Sequence, residues 1–443
     1  MYRCQQNLMS MDKHLKAILE LICAESHKLT NCGIYYARQL YLKTQKIIGK
    51  FDLEKEYKNN KHDQVLSSQA AQQILRSVAE SFKSFKELNQ KYRKGELTDE
   101  PHLPKYIKKE GLFLVTYPKQ ALKWVDNQIR IPLGKTVKQW FGLDSFYLPM
   151  TSNLRFQEIK ELRILPRNHC FYVEFVYESK PVEIEVNPDN VLGLDLGLNN
   201  WLTGVSRLGT SFVIDGRHLK SVNRWYNKQV ATLKEGKPQG FWSTQLAKIT
   251  EKRSRQIRDA VNKAARLVIN HCLEHQRNKD QKREGNLGKK NHQSFVSIPT
   301  AKLKERIRQL CEQCGIKFIE TEESYTSKAS FLDNDSPPKF GEKTEGWQPS
   351  GKRTKRGLYR TAQNQYINAD ANGAANIIRK VSTTLNFDLS RVSRGVLTRP
   401  QKFKCWSAKK TRSPLRILRH LWVGEVKKTF IMEDNYSCYT LQK

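Results

Sequence analysis

The sequence predicts a mixed α/β chain, and three observations lead to that reading. Helical periodicity fills the first hundred residues. Short alternating apolar runs follow from about residue 112. Near residue 190, an apolar strand with one carboxylate in it opens a block of strands and long helices. A length of 443 residues leaves room for two or three domains. The 38% hydrophobic and 10% aromatic content supports buried cores and excludes a disordered basic tail.

The helical part rests on one clear stripe. Within 65–88, Ala71, Ile74, Leu75, Val78, Phe82 and Phe85 recur at three- and four-residue steps. Further helices are expected over 12–29 and 35–44. Pro101 and Pro104 force extended backbone and end the helical region. Residues 112–115 and 129–131 then read as strands. Phe171, Val173, Phe175 and Tyr177 alternate after the turn-like Pro166-Arg167-Asn168, as in a small antiparallel sheet or barrel.

The third block begins with Val191-Leu192-Gly193-Leu194-Asp195-Leu196-Gly197, a buried-strand run. Strands over 201–206 and 211–214 extend it into a meander. A long basic helix is expected around 246–274, with Ile257, Val261, Ala264, Ala265, Val268 and Cys272 on one side. A second helix, 300–314, is ended by Gly315 and leads into a strand at 316–319.

Charge narrows the function. Lys and Arg number 78 against 44 Asp and Glu, a net charge of +34. Such self-repulsion is relieved by a polyanion, so an enzyme of small neutral metabolites is a poor match. The basic residues cluster: 251–290 hold twelve Lys/Arg against five acids, and 351–360 hold five against none. Lys252, Arg253, Arg255, Arg258, Lys328, Lys352, Arg353, Lys355 and Arg356 are therefore candidate phosphate contacts, although a basic run is often only a solvated face. Trp201, Trp225, Tyr226, Trp242 and Trp347 could stack on unpaired bases or simply pack in cores. No stretch reads as a membrane span, and the apolar run at 15–24 is broken by Lys16 and Glu20, unlike a signal peptide. Nine scattered cysteines fit a reducing compartment, so a cytoplasmic, nucleoid-associated bacterial protein is expected.

Three acidic positions stand out by their company. Asp195 lies inside the apolar strand, where an ionised carboxylate is costly unless a cation compensates it. Glu322 and Glu323 follow a strand and lead into Ser324-Tyr325-Thr326-Ser327-Lys328. Asp370 opens Asn368-Ala369-Asp370-Ala371-Asn372-Gly373-Ala374-Ala375-Asn376-Ile377, whose small residues let a helix start close to a sheet. Converging carboxylates suit two-metal hydrolysis, in which two Mg²⁺ ions about 4 Å apart activate water and stabilise a leaving oxygen. Each motif alone has other readings, since Asp-x-Gly also follows strands in actin-like ATPases and an acid at a strand end is often a cap.

As a set, residues 193–200, 322–328 and 368–377 resemble the three blocks of the TnpB (OrfB) proteins of bacterial insertion sequences, a family similar to the type V CRISPR effectors. The likeness extends upstream through 67–73 and Leu103-Pro104-Lys105-Tyr106, over roughly residues 10–400. It implies an RNase H-like (RuvC) nuclease domain with an N-terminal helical recognition insert and a small β-rich wedge domain. The expected boundaries are 1–105 for the helical region, 106–188 for the wedge, 189–397 for the nuclease and 398–443 for a basic tail. It further implies a guide RNA, a double-stranded DNA target and two Mg²⁺ ions. Carried over, Asp195 matches the first catalytic aspartate and Asp370 the last, with Glu323 as the third metal ligand and Glu322 as its alternative.

The sequence departs from that family in two places. Most members keep a glutamate at the end of a fourth core strand after the long helix, whereas 274–284 allow no apolar strand. That favours a relocated glutamate, or a copy that binds nucleic acid without cutting. Many members also carry a four-cysteine zinc ribbon between the last two blocks, but 329–367 contain no cysteine. Cys311-x-x-Cys314 supplies only two ligands on a predicted helix, so no zinc site is expected. A transposase that itself breaks and joins DNA would close its triad with glutamate, not with Asp370.

Overall fold

The computed structural model describes residues 2–108, 111–151, 153–179, 190–274, 285–289, 299–322, 324–338, 341–343, 345–385 and 388–406. The chain is mixed α/β. It opens on β1 (Tyr2–Leu8), followed by α1 (Lys13–Thr44), α2 (Lys50–Tyr57), α3 (Lys61–Val65) and α4 (Ser68–Arg93). Asp12 caps α1 by accepting from the Leu15 amide at 2.7 Å. Where the sequence suggests two helices, α1 runs unbroken. Gly33 lies on its α4-facing side, and a Cβ there would already be 3.4 Å from Leu75, so the glycine serves close packing rather than a break. The expected stripe of α4 is buried.

The extended segment after the prolines is strapped to α1. Arg38 donates to Pro104 O at 2.9 Å, Asn31 exchanges two hydrogen bonds with Ile107, and a ring nitrogen of His27 lies 2.7 Å from Lys108 O. Next come β2 (Val115–Pro118), β3 (Lys123–Val125), β4 (Gln128–Pro132), α5 (Lys135–Phe141), β5 (Ser145–Pro149), β6 (Ile159–Arg167) and β7 (Cys170–Glu178). They form two antiparallel sheets, ordered β1-β7-β6-β2 and β3-β4-β5. The helices α1 to α4 are thus inserted between two strands of one sheet, and β1 was not anticipated from the sequence. Its residues, Tyr-Arg-Cys-Gln-Gln-Asn-Leu, lack an apolar alternation, and the strand is specified by its seven-residue pairing with β7.

The last block holds β8 (Leu192–Leu196), β9 (Asn200–Ser206), β10 (Thr210–Asp215), α6 (Arg217–Lys234), α7 (Thr244–Glu274), β11 (Gly285–Lys289), α8 (Thr300–Gln313) and β12 (Phe318–Glu322). After these come β13 (Lys352–Lys355), β14 (Leu358–Arg360), β15 (Tyr366–Asn368), α9 (Ala369–Leu385), α10 (Arg394–Thr398) and β16 (Gln401–Phe403). Six strands form one sheet in the order β12-β11-β8-β9-β10-β16. The meander β8-β9-β10 is antiparallel, while β11 and β12 run parallel to β8. Leu192, Leu194 and Leu196 join the buried faces of α7 and α8, whereas Val191 and Val205 lie with α9.

Two strands correct the sequence reading. Residues 275–284, where no apolar strand is expected, lie outside the described residues, but a strand follows directly after them. Gly285-Asn286-Leu287-Gly288-Lys289 pairs with β8 on one side and β12 on the other, so backbone hydrogen bonds define it without an apolar run. At the far edge, β16 pairs in parallel with β10, and Phe403, Cys405 and Trp406 pack into the same core. Residues 401–406 therefore belong to this sheet although they fall within the stretch read as a tail.

Candidate active site and nucleic-acid interface

The site forms where α9 begins over the end of β8. Gly193 makes the approach possible, because any Cβ there would strike the Ala374 carbonyl oxygen. Two residues on, Asp195 is 6% exposed and opposes Thr203 of β9 in the strand register, so both side chains share the face under α9. The buried Thr203 hydroxyl has no hydrogen-bond partner among the described residues.

Asp370 stands in the first turn of α9. Asn368 supplies the cap, its Oδ1 accepting from the amides of Asp370 and Ala371 at 3.0 Å each. Both oxygens of the Asp370 carboxylate are engaged: Asn200 Nδ2 donates to Oδ2 at 2.7 Å, and Arg353 Nη2 donates to Oδ1 at 3.0 Å. Gly373 lies one turn further along α9, on the same helical face as Asp370, and meets the Asp195 carboxylate. The first and last acidic blocks thus come together.

The second block reaches the same place. Ser327 Oγ is about 4.0 Å from where a Cβ on Gly373 would sit. Asn372 and Asn376, both 0% exposed and four residues apart, clamp the second block's chain. Asn376 Nδ2 donates to Thr326 O at 3.0 Å and Ala329 O at 2.7 Å. Asn372 Nδ2 donates to Ala329 O at 2.7 Å, while its Oδ1 accepts from the Phe331 amide at 2.9 Å. Neither asparagine was singled out in the sequence, nor was Asn200, although an Asn pair spaced i, i+4 inside a run of small residues was the available signal.

Leu194, Leu287 and Glu320 lie in one row across β8, β11 and β12, so Asp195 and Thr321 share the next row, two strand spacings or about 10 Å apart. The end of β12 thus opens on the same sheet edge as Asp195, and Glu322 is its last residue. Glu323 lies outside the described residues. Among the described residues, no group of three His, Cys, Asp or Glu is close enough to hold a metal ion. The donor types that are present suit a hard cation: Asp195, which α9 meets at Gly373, and Asp370 one turn earlier on that helix, with the unpaired buried Thr203 hydroxyl across from Asp195.

Between the second and third blocks, carboxylates tie the chain together. Asp335 accepts from the Ser330 amide at 2.6 Å, the Ser350 amide at 3.0 Å and the Ser350 hydroxyl. Asp333 accepts from the Ser330 hydroxyl at 2.5 Å and the Ala362 amide at 2.8 Å. These bonds brace the β13-β14-β15 sheet. Cys311 and Cys314 instead belong to the α7–α8 core. Burial pushes both thiols up, and that of neighbouring Cys272 up to about 12, so they are protonated apolar packing.

The basic candidates divide by environment. Lys352, Arg353, Lys355 and Arg356 are exposed on and beside β13, and Lys328, Lys252 and Arg255 are exposed as well. Two others serve packing. Arg253 donates to Asn223 at 2.7 Å and lies 4.7 Å from the Tyr226 ring. Arg258 bonds Gln6 of β1, donates to the Tyr172 hydroxyl at 3.3 Å and lies 3.8 Å from Glu251. Glu251, only 1% exposed, accepts from Tyr172 and, at 2.9 Å, from Asn168, which joins α7 to the β6–β7 hairpin. Among the aromatics, Trp201 is fully buried and cannot stack on a base. Trp347 donates to Ser336 O and packs against Tyr325, whereas Trp225 and Trp242 remain exposed. Among the described residues, no helix is long and apolar enough to cross a membrane.

Residues 174–278 match the OrfB_IS605 family model, described as "Probable transposase". No curated protein matches the chain. Among solved structures, a cryo-EM structure of a Cas12f1-sgRNA-target DNA complex is similar over 83% of this chain and 83% of that one, with a TM-score of 0.55 at 12% identity. That likeness shows a shared fold. CasPhi-2 (Cas12j) bound to crRNA and phosphorothioate DNA matches over 86% of this chain and 91% of that one, at TM-score 0.40 and 9% identity. The mini-RNA-guided endonuclease Cas_phi3 matches over 86% and 92%, at TM-score 0.38 and 10% identity.

Proposed function

Because residues 174–278 carry the TnpB (OrfB) family signature, we propose that this protein is a transposon-associated, RNA-guided DNA endonuclease. The observation that carries the reading is that α9, which bears Asp370 in its first turn, packs at Gly373 against the Asp195 carboxylate. Its sheet order, with a β8-β9-β10 meander followed by parallel strands, agrees with an RNase H-like nuclease domain. The net charge of +34 and the exposed basic hairpin supply the affinity for guide RNA and target DNA.

In this reading Asp195, Asp370 and Glu323 hold two Mg²⁺ ions. Bound there, the ions would supply an activated water and charge stabilisation for the leaving oxygen of a phosphodiester. Glu323 follows Thr321 by two residues, and Thr321 shares the row of Asp195 in the sheet. Glu322, the alternative, ends β12 itself. Asn200 orients the Asp370 carboxylate, and Gly373 keeps the space beside Asp195 clear. Lys328, Lys352, Lys355 and Arg356 bind strand phosphates near the site, with Lys252 and Arg255 extending the basic surface along α7.

Cleavage of guide-matched duplex DNA in Mg²⁺ tests the proposal, with loss of cutting expected in Asp195→Ala. A second reading has one observation in its favour. The central strand β11 ends on Lys289 and is followed by Lys290 rather than by an acid. If the protein binds guide and target but cuts in no divalent metal, it is a nuclease-inactive relative that retains RNA and DNA binding.

A further inference from the structure

Arg353 makes a contact that the proposed chemistry has to open. Each oxygen of the Asp370 carboxylate already accepts a hydrogen bond, one from Asn200 and one from Arg353. The two donors are held differently. Asn200 starts β9, which lies inside the six-stranded sheet. Arg353 sits on β13, a four-residue strand exposed along its whole length, paired on one side with β14 and at the edge of its sheet. Its side chain is 42% exposed, and an ion pair that open to water holds only weakly. Arg353 is therefore the donor that can leave.

We propose that Arg353 and a divalent cation compete for the Asp370 carboxylate, and that a nucleic-acid phosphate draws Arg353 away so that cation binding is coupled to substrate arrival. This rests on the two-aspartate reading above. A guanidinium pairs with a phosphate through the same planar fork it offers a carboxylate, so the exchange replaces one charged partner by another. Lys352, Lys355 and Arg356 stand on the same hairpin and bring a strand's phosphates within reach of it. Without nucleic acid, Arg353 neutralises Asp370 and covers one of its oxygens. With phosphate bound, that oxygen is uncovered.

Because coupling between two ligands is reciprocal, it can be read from cation binding alone. The test is calorimetric titration of the full chain with Mn²⁺, first by itself and then with a saturating single-stranded oligonucleotide. Arg353→Ala is expected to bind Mn²⁺ about five- to tenfold more tightly than wild type when no oligonucleotide is present. The oligonucleotide raises wild-type Mn²⁺ affinity, and in Arg353→Ala that enhancement falls by the same factor. Arg360→Ala, which removes one charge from the adjacent strand, leaves Mn²⁺ affinity at the wild-type value. Loss of Mn²⁺ binding in Asp370→Asn with no change in Arg353→Ala would overturn the competition, as would equal tightening in Arg360→Ala. Mn²⁺ binding that ignores Asp370→Asn would overturn the two-aspartate reading and the competition together.

Discussion

Gly373 stands directly against the carboxylate of Asp195: a Cβ built on the glycine would lie 3.1 Å from Oδ2. The helix that carries Asp370 can approach the strand that carries Asp195 only because this position and Gly193 lack side chains. The small residues of the third block are thus part of how the helix of one acid packs on the strand of the other.

Gly373→Ala separates stability from chemistry. Alanine raises helix propensity by about 1 kcal/mol over glycine, which offsets local crowding, so the melting temperature should move little. The Asp195 carboxylate must shift by a few tenths of an ångström, and cleavage should fall about ten- to a hundredfold. Paired thermal melts and cleavage rates check both halves.

Asn376→Ala removes the donor to two buried carbonyls and should cost about 1–3 kcal/mol, loosening the second block against α9. Asn376→Asp should cost more, because it turns an acceptor toward those same carbonyls. Denaturant unfolding of the two variants orders the effects.

Glu251 joins α7 to the β6–β7 hairpin through Tyr172 and Asn168. Glu251→Ala leaves those polar groups unpaired in a buried junction, with an expected loss of about 1–3 kcal/mol. Proteolysis between residues 170 and 251 should accelerate, a change visible by mass spectrometry.

Hydrogen bonds from the Arg217 side chain, above all, hold the Asp215 carboxyl below its ordinary range. A carboxyl lowered in the folded state stabilises above its unfolded value of about 3.9, and that stability is lost as pH falls through the folded value. Arg217→Gln should therefore melt below wild type at neutral pH, with the gap closing in strong acid. A gap that widens on acidification would contradict the assignment.

Parts of this arrangement were legible because apolar pattern specifies them. The α4 stripe from Ala71 to Phe85 and the α7 stripe from Ile257 to Val268 each bury one consistent face, and the Asp195 strand is an apolar run buried on both faces. The strands β1, β11 and β16 escaped notice because neighbouring backbones define them, and pairing partners far along the chain leave no local signature. At the site, the acids were visible as charges in apolar or small-residue company. Asn200, Asn372 and Asn376 were not, since a buried asparagine that binds backbone resembles a surface asparagine until the chain it clamps is in place.

The most direct measurement is cleavage of a guide-matched DNA duplex in Mg²⁺ by RNA-loaded wild type, Asp195→Asn and Asp370→Asn, with DNA affinity recorded for each. The account predicts that all three bind the duplex comparably and that only the wild type cuts it. Undiminished cutting by either aspartate variant would contradict it.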